Sequence, residues 1–134
     1  MIEFREYRDE DFDQVKELIK DSFDIDVTNI GTDTNIYRLV GIMDNKVISY
    51  LDITYCLDVI RNFKYSYINY VCVSPNARGN GVGSKMMGEA INICKTNGCS
   101  SIKLTSNEKR VEARNIYLKL GFEIKNTDLF EKVI

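Results

Sequence analysis

The feature that most restricts the fold of this chain is a change of apolar period across a run of glycines. From Tyr65 to Val73 side chains alternate in twos, with Tyr65, Tyr67, Asn69, Val71 and Val73 expected on one face and Ser66, Ile68, Tyr70 and Cys72 on the other. From Val82 onward the apolar residues Met86, Met87, Ala90, Ile91 and Cys94 recur at helical spacing, up to a stop at Asn97-Gly98. Between the two lie Pro75, Gly79, Gly81 and Gly83. A strand that feeds a helix through a glycine turn belongs in a fold that packs helices on a sheet.

The flanking sequence supplies the rest of that sheet. Ile2 to Tyr7 reads as a strand, and a helix is expected after Asp9 as N-cap, burying Phe12, Val15, Leu18, Ile19 and Phe23. Asp24 to Asn35 has no sustained period and reads as a loop or a short irregular helix. Tyr37 to Met43, a tight Asp44-Asn45-Lys46 turn, Val47 to Leu57 and Tyr65 to Val73 form an antiparallel meander. After the glycine segment and its helix come a short strand, Ser101 to Thr105, and a second helix from near Lys109 to Leu120, capped by Gly121. Phe122 to Lys125 and Leu129 to Val133 are expected as two closing strands. The single proline and the absence of a Ser/Gly-rich stretch predict one domain, residues 1–134, without a linker.

Composition removes whole classes of chemistry. There is no histidine, so Ser-His-Asp and Cys-His mechanisms are excluded, and a general acid or base must be a carboxylate, tyrosine, lysine, cysteine or water. Cys56, Cys72, Cys94 and Cys99 form no CxxC pair; they read as free thiols, with no metal site expected and a reducing, cytoplasmic setting. No apolar run approaches the length of a membrane span, and no concentrated basic run suggests nucleic acid, so neither partner is expected. The net charge of −2 conceals a split: residues 1–60 carry 14 acidic against 6 basic side chains, residues 61–134 carry 6 against 12. That split favours a cationic ligand near the first half and a polyanion near the second.

The glycine segment explains what a polyanion would find. Positive φ at glycine lets successive N–H groups converge, and a helix N-terminus adds unsatisfied donors and a favourable dipole. Arg78 adds a cation at the rim. A nucleotide P-loop would need G-x-x-x-x-G-K-[ST], and a dinucleotide fingerprint G-x-G-x-x-G; the glycines at 79, 81 and 83 fit neither spacing.

Arg78-x-x-Gly81-x-Gly83 after a Val-x-Val-x-Pro strand resembles the Q/R-x-x-G-x-G/A pyrophosphate loop of the GNAT superfamily of acetyl-CoA-dependent N-acyltransferases. Ala113-x-x-Ile116-Tyr117-x-Lys119-Leu120-Gly121-Phe122 resembles that family's A-x-x-F/L-Y-x-K-x-G-F segment, in the expected order. The resemblance implies an α/β domain with a mixed, mostly antiparallel sheet, a splayed central strand pair and helices on both faces. It implies acetyl-CoA as cosubstrate, with Arg78, Gly79, Asn80, Gly81, Val82, Gly83 and Ser84 at the pyrophosphate. Main-chain groups of Val71, Cys72 and Val73 would lie along pantetheine and Asn107 near the cosubstrate, and Tyr117 would act as general acid toward the departing thiolate. Two departures stand out: Ile116 replaces a common Phe or Leu, and the strand Tyr65 to Asn69 lacks the glutamate that serves some members as base.

The expected activity is direct acetyl transfer to a primary amine of a small molecule or a peptide, with a catalytically silent acyl-CoA sensor as the alternative. Asp52, Tyr67 and Asn69 on the meander and Asp24, Asp26 and Asp33 in the early loop are the candidates for binding the amine or relaying its proton. A homodimer is compatible with all of this.

Overall fold

The structure is a computed structural model that describes residues 1–134. Five strands, β1 (Glu3–Glu6), β2 (Ile36–Met43), β3 (Lys46–Asp58), β4 (Phe63–Val73) and β5 (Cys99–Leu104), lie in that spatial order in one sheet. Neighbours from β1 to β4 pair antiparallel; β4 and β5 pair parallel, through the crossover helix α2 (Val82–Thr96). Such a parallel step needs a helix-length connection, which the segment between Val73 and Cys99 supplies.

Each face of the sheet has its own core. Val15, Leu18 and Ile19 of α1 (Phe12–Phe23) pack on Tyr7, Val40, Val47, Tyr50 and Cys72. On the opposite face Met86, Met87, Ala90 and Cys94 of α2, with Tyr117 of α3 (Val111–Lys119), cover Leu39, Leu51, Ile53 and Ile68. The turn between β2 and β3 takes Asp44 and Asn45 at φ of 52° and 63°, the left-handed pair that suits a two-residue hairpin.

The first helix starts later than the sequence suggests. Asp9 to Asp11 make a 3-10 turn and Asp11, not Asp9, precedes α1. Asp11 turns its carboxylate back to the Arg5 guanidinium, at 2.8 and 2.9 Å, and to the Arg8 N–H at 2.8 Å.

The alternation expected along β4 breaks at Tyr70. Tyr50 pairs with Cys72 and Asp52 with Asn69, so Leu51 alone faces both Tyr70 and Val71, a bulge of one extra residue on β4. Tyr70 takes φ of 55°, a left-handed conformation rare for an aromatic residue. As a result Val71 and Val73 join Ile68 on the α2 face while Cys72 turns to α1, so the expected grouping of Asn69 with Val71 and of Ile68 with Cys72 does not hold.

The two closing strands are not formed. Residues 120–134 make no ladder, and Ile124, Leu129, Phe130 and Val133 are largely exposed. Each expected run is only four or five residues long, and two such strands without partners gain too little to order a ladder. Only Phe122 is half-buried, 6.0 Å from the Tyr117 ring. β5 is therefore the sheet's edge, and a cavity of about 990 Å³ lies between β5, α3 and residues 122–129.

Candidate active site

β4 and β5 form a fork. Their parallel pairing runs from Lys64 opposite Cys99 to Ile68 opposite Leu104 and stops. Beyond it, Asn69 to Val73 keep β3 on one side and have no strand on the other. Backbone groups along that free side can receive an extended ligand as a strand would be received.

At the open end of the fork, past Val73, a turn leads into α2. Gly79 and Gly81 take φ of 83° and 72°, and a Cβ at either would have no neighbour within 4 Å. The glycines are thus required by conformation, and open space lies above them. Gly83 is different: a Cβ there would meet Ile116 Cδ1 at 3.2 Å, so its role is close packing of α2 on α3. Gly81 is the N-cap of α2 and supplies no side-chain acceptor, leaving the first N–H groups of the helix, from Val82 to Ser84, without a capping side chain. Asn80 Nδ2 donates to Ala77 O at 3.2 Å and fixes the turn from within. An open cradle of N–H groups at a helix N-terminus, next to an unpaired strand edge, suits a pyrophosphate with an extended arm.

The other residues expected at the site are placed as follows. Arg78 donates from Nε to Val73 O at 3.1 Å and from Nη2 to Asp21 Oδ2 at 2.9 Å, so it braces the turn against α1. Both partners of this ion pair are about half exposed, and such pairs are worth roughly 0–1 kcal/mol, a contact that a phosphate can compete for. Asn107 Oδ1 accepts from Lys109 N at 2.9 Å and its carbonyl from Arg110 N at 3.0 Å, which turns the chain from β5 into α3. The Cys72 side chain is buried in the α1 core, where burial pushes its thiol up to about 12, so at neutral pH it carries no thiolate. Tyr117 is buried at 8% exposure, and burial, opposed in part by Arg110, holds its phenol above the ordinary value. It also lines the 990 Å³ cavity beside β5, which touches none of Arg78 to Ser84.

Sequence reading missed a contact across the mouth of the fork. Arg110 at the start of α3 donates to Ser22 O at 3.0 Å and lies 4.3 Å over the Phe23 ring, while Phe23 meets Tyr70 edge-on at 5.3 Å. The only trace of it in the sequence is a cation in the first turn of a helix, where the dipole does not favour one.

The family model of the acetyltransferase (GNAT) family matches residues 2–122. The chain belongs to the GNAT family. A GCN5-related N-acetyltransferase, number 6, chloroplastic, of Arabidopsis thaliana is 29% identical over 70 residues, which is 52% of this chain and 24% of that protein. The chain thus spans well under half the length of that curated relative. Among solved structures, a transcriptional regulator from Bacillus halodurans superposes with a TM-score of 0.88 at 22% identity, covering 99% of this chain and 100% of the other. An acetyltransferase of Trypanosoma brucei does so with 0.81 at 19% identity, covering 99% and 100%. At these identities the superpositions establish the fold, and the family rests on the match to the acetyltransferase (GNAT) model. No helix of this GNAT domain is long and apolar enough to cross a membrane, and all four cysteines are free thiols.

Proposed function

We propose that the chain transfers an acetyl group directly from acetyl-CoA to a primary amine. The observation that carries this reading is the fork: an unpaired stretch of β4 that ends in an open glycine cradle, with Tyr117 on the helix beside it. Acetyl-CoA supplies a thioester, whose acyl carbon is open to an uncharged amine. N–H groups of the cradle from Gly79 to Ser84 hold its pyrophosphate, and main-chain groups from Val71 to Val73 hold its arm. An N–H of Val71 or Val73 polarises the carbonyl as charge develops on its oxygen. Tyr117, kept protonated by burial, gives its proton to the departing sulfur. Direct transfer is favoured over a cysteine-linked route because the thiol nearest the fork, Cys72, is buried and un-ionised.

The acceptor is an amine-bearing compound or peptide, favoured by the acidic first half of the chain; four free thiols fit a reducing cytoplasm. A thiol-release screen over polyamines, amino acids, aminoglycosides and peptides tests the reading. CoA should appear only when an amine is present. Gly81→Val, which forces a branched residue into φ of 72° and fills the cradle, should lose acetyl-CoA binding by calorimetry, with Gly81→Ala as the milder check that the fold survives. Equal affinity in wild type and a folded Gly81→Val variant would refute the site. CoA binding without release by any amine would favour the silent sensor.

A further inference from the structure

The acidic candidates for the acceptor site separate once their partners are known. Asp24 and Asp26 both pair with Lys20, at 2.8 and 3.1 Å, and Asp33 accepts from Thr34 N at 2.7 Å. Asp11 holds Arg5 and Asp21 holds Arg78. Asp52 has no ion pair, although it is more enclosed than any of these except Asp11.

Its surroundings fix it without neutralising it. The Tyr50 hydroxyl donates to Asp52 Oδ2 at 3.0 Å, and Asn69 stands directly opposite Asp52 across the ladder on β4. Arg38 stands opposite Asp52 in the β2 register but turns away. Its guanidinium lies 4.5 Å over the Tyr7 ring and reaches the carbonyls of Ile30 and Gly31 at 3.4 and 3.5 Å. A buried carboxylate is expensive unless a cation completes it. The position is also apt: Asn69, its cross-strand neighbour, is the first residue of β4 beyond the last pair with β5. The carboxylate thus stands one strand from the free edge, on the α1 face, opposite the side from which Tyr117 approaches.

We propose that Asp52, oriented by Tyr50 and facing Asn69 across the ladder, receives the ammonium group of the acceptor and takes one of its protons. The inference rests on the acetyltransferase reading and names the group missing from it. An alkylammonium of pKa ~10.4 is free amine in only about one molecule in a few thousand at pH 7. Asp52 accepts a proton from the ammonium, leaving the nitrogen lone pair free to attack, and returns that proton to solvent when the carboxyl re-ionises. Burial raises the carboxyl above its ordinary range, against the opposing effects of Tyr50, Asn69 and Arg38, which brings it closer to the amine it must deprotonate. The sign of the linkage follows. A carboxyl raised in the folded state favours folding fully only below its unfolded value, and that contribution is lost as pH rises through the folded value. At neutral pH the empty protein therefore carries Asp52 at a cost.

The test starts without acetyl-CoA. n-Butylammonium titrated into the wild-type chain should shift the Asn69 side-chain amide resonances saturably, and n-butanol should not. Asp52→Asn should lose those shifts, keep its affinity for acetyl-CoA, and melt at neutral pH no lower than wild type. Its turnover of the acceptor found in the screen should fall about 10²-fold or more at pH 7. That deficit should shrink by about tenfold per pH unit as solution supplies free amine. A wild type that shows no saturable ammonium shift overturns the proposal. So does an Asp52→Asn protein that melts lower while binding n-butylammonium and turning over normally, because Asp52 would then be structural. If wild type binds ammonium at Asp52 yet transfers no acetyl group to any amine, the acetyltransferase reading fails and the cation site stands.

Discussion

Tyr117 and Asp11 show how differently two buried polar side chains can serve one fold. The Tyr117 ring is part of the α2-side core, so Tyr117→Phe keeps the packing and should cost no more than ~1 kcal/mol of stability. If its hydroxyl protonates the leaving thiolate, single-turnover transfer should slow by ~10²- to 10⁴-fold with acetyl-CoA affinity unchanged. Transfer at the wild-type rate would exclude the role. Asp11 does no chemistry in this scheme: chiefly the Arg5 hydrogen bonds, assisted by the Arg8 N–H, hold its carboxyl below the ordinary value despite burial. A depressed carboxyl stabilises the fold above the unfolded value near 3.9, and the stabilisation is lost as pH falls through the folded value. Asp11→Asn should thus cost about 1.5–3 kcal/mol in urea unfolding at pH 7. The gap to wild type should close below about pH 4, and a gap that stays constant with pH would show that charge is not its source.

Among the elements, those with an unbroken period were legible and those without were not. β2 to β4, α2 and α3 lie within two residues of their expected bounds because their apolar faces repeat and Asn97-Gly98 and Gly121 stop the helices. Residues 122–134 carry apolar side chains in a similar pattern, but a pattern says which face a strand would bury and not whether a partner is in reach. The cradle was readable because glycine announces positive φ. The Tyr70 bulge was hidden because nothing in a tyrosine announces it. Asp52 appeared in the sequence as one of six candidates; what sets it apart from the other carboxylates is its enclosure, together with the Lys20 ion pairs of Asp24 and Asp26 and the exposure of Asp33. The same α1 terminus gathers Arg78 and Arg110 from the second half of the chain, across 57 and 88 residues, and so draws the acidic and basic halves together at the mouth of the fork.

At the scale of the whole molecule, the bulge makes β4 one residue longer than the sheet needs. Asn69 faces α1 and Val71 faces α2, as neighbours in an unbroken strand would. Removing Tyr70 therefore leaves every other side chain on the face it now occupies and sets Val71 directly opposite Leu51. Most single-residue deletions in a strand exchange its two faces and destroy the core; this one is parity-neutral. A deletion of Tyr70 should fold with near-native circular dichroism and a similar melting midpoint, since the lost Phe23 contact is offset by release of roughly 1–3 kcal/mol of backbone strain. It should also bind acetyl-CoA poorly by calorimetry, because a regular β4 would no longer bend away from β5; undiminished binding would show that the fork does not depend on the bulge. A residue the architecture can spare, held in a conformation it resists, is the kind of insertion that stability alone would have discarded.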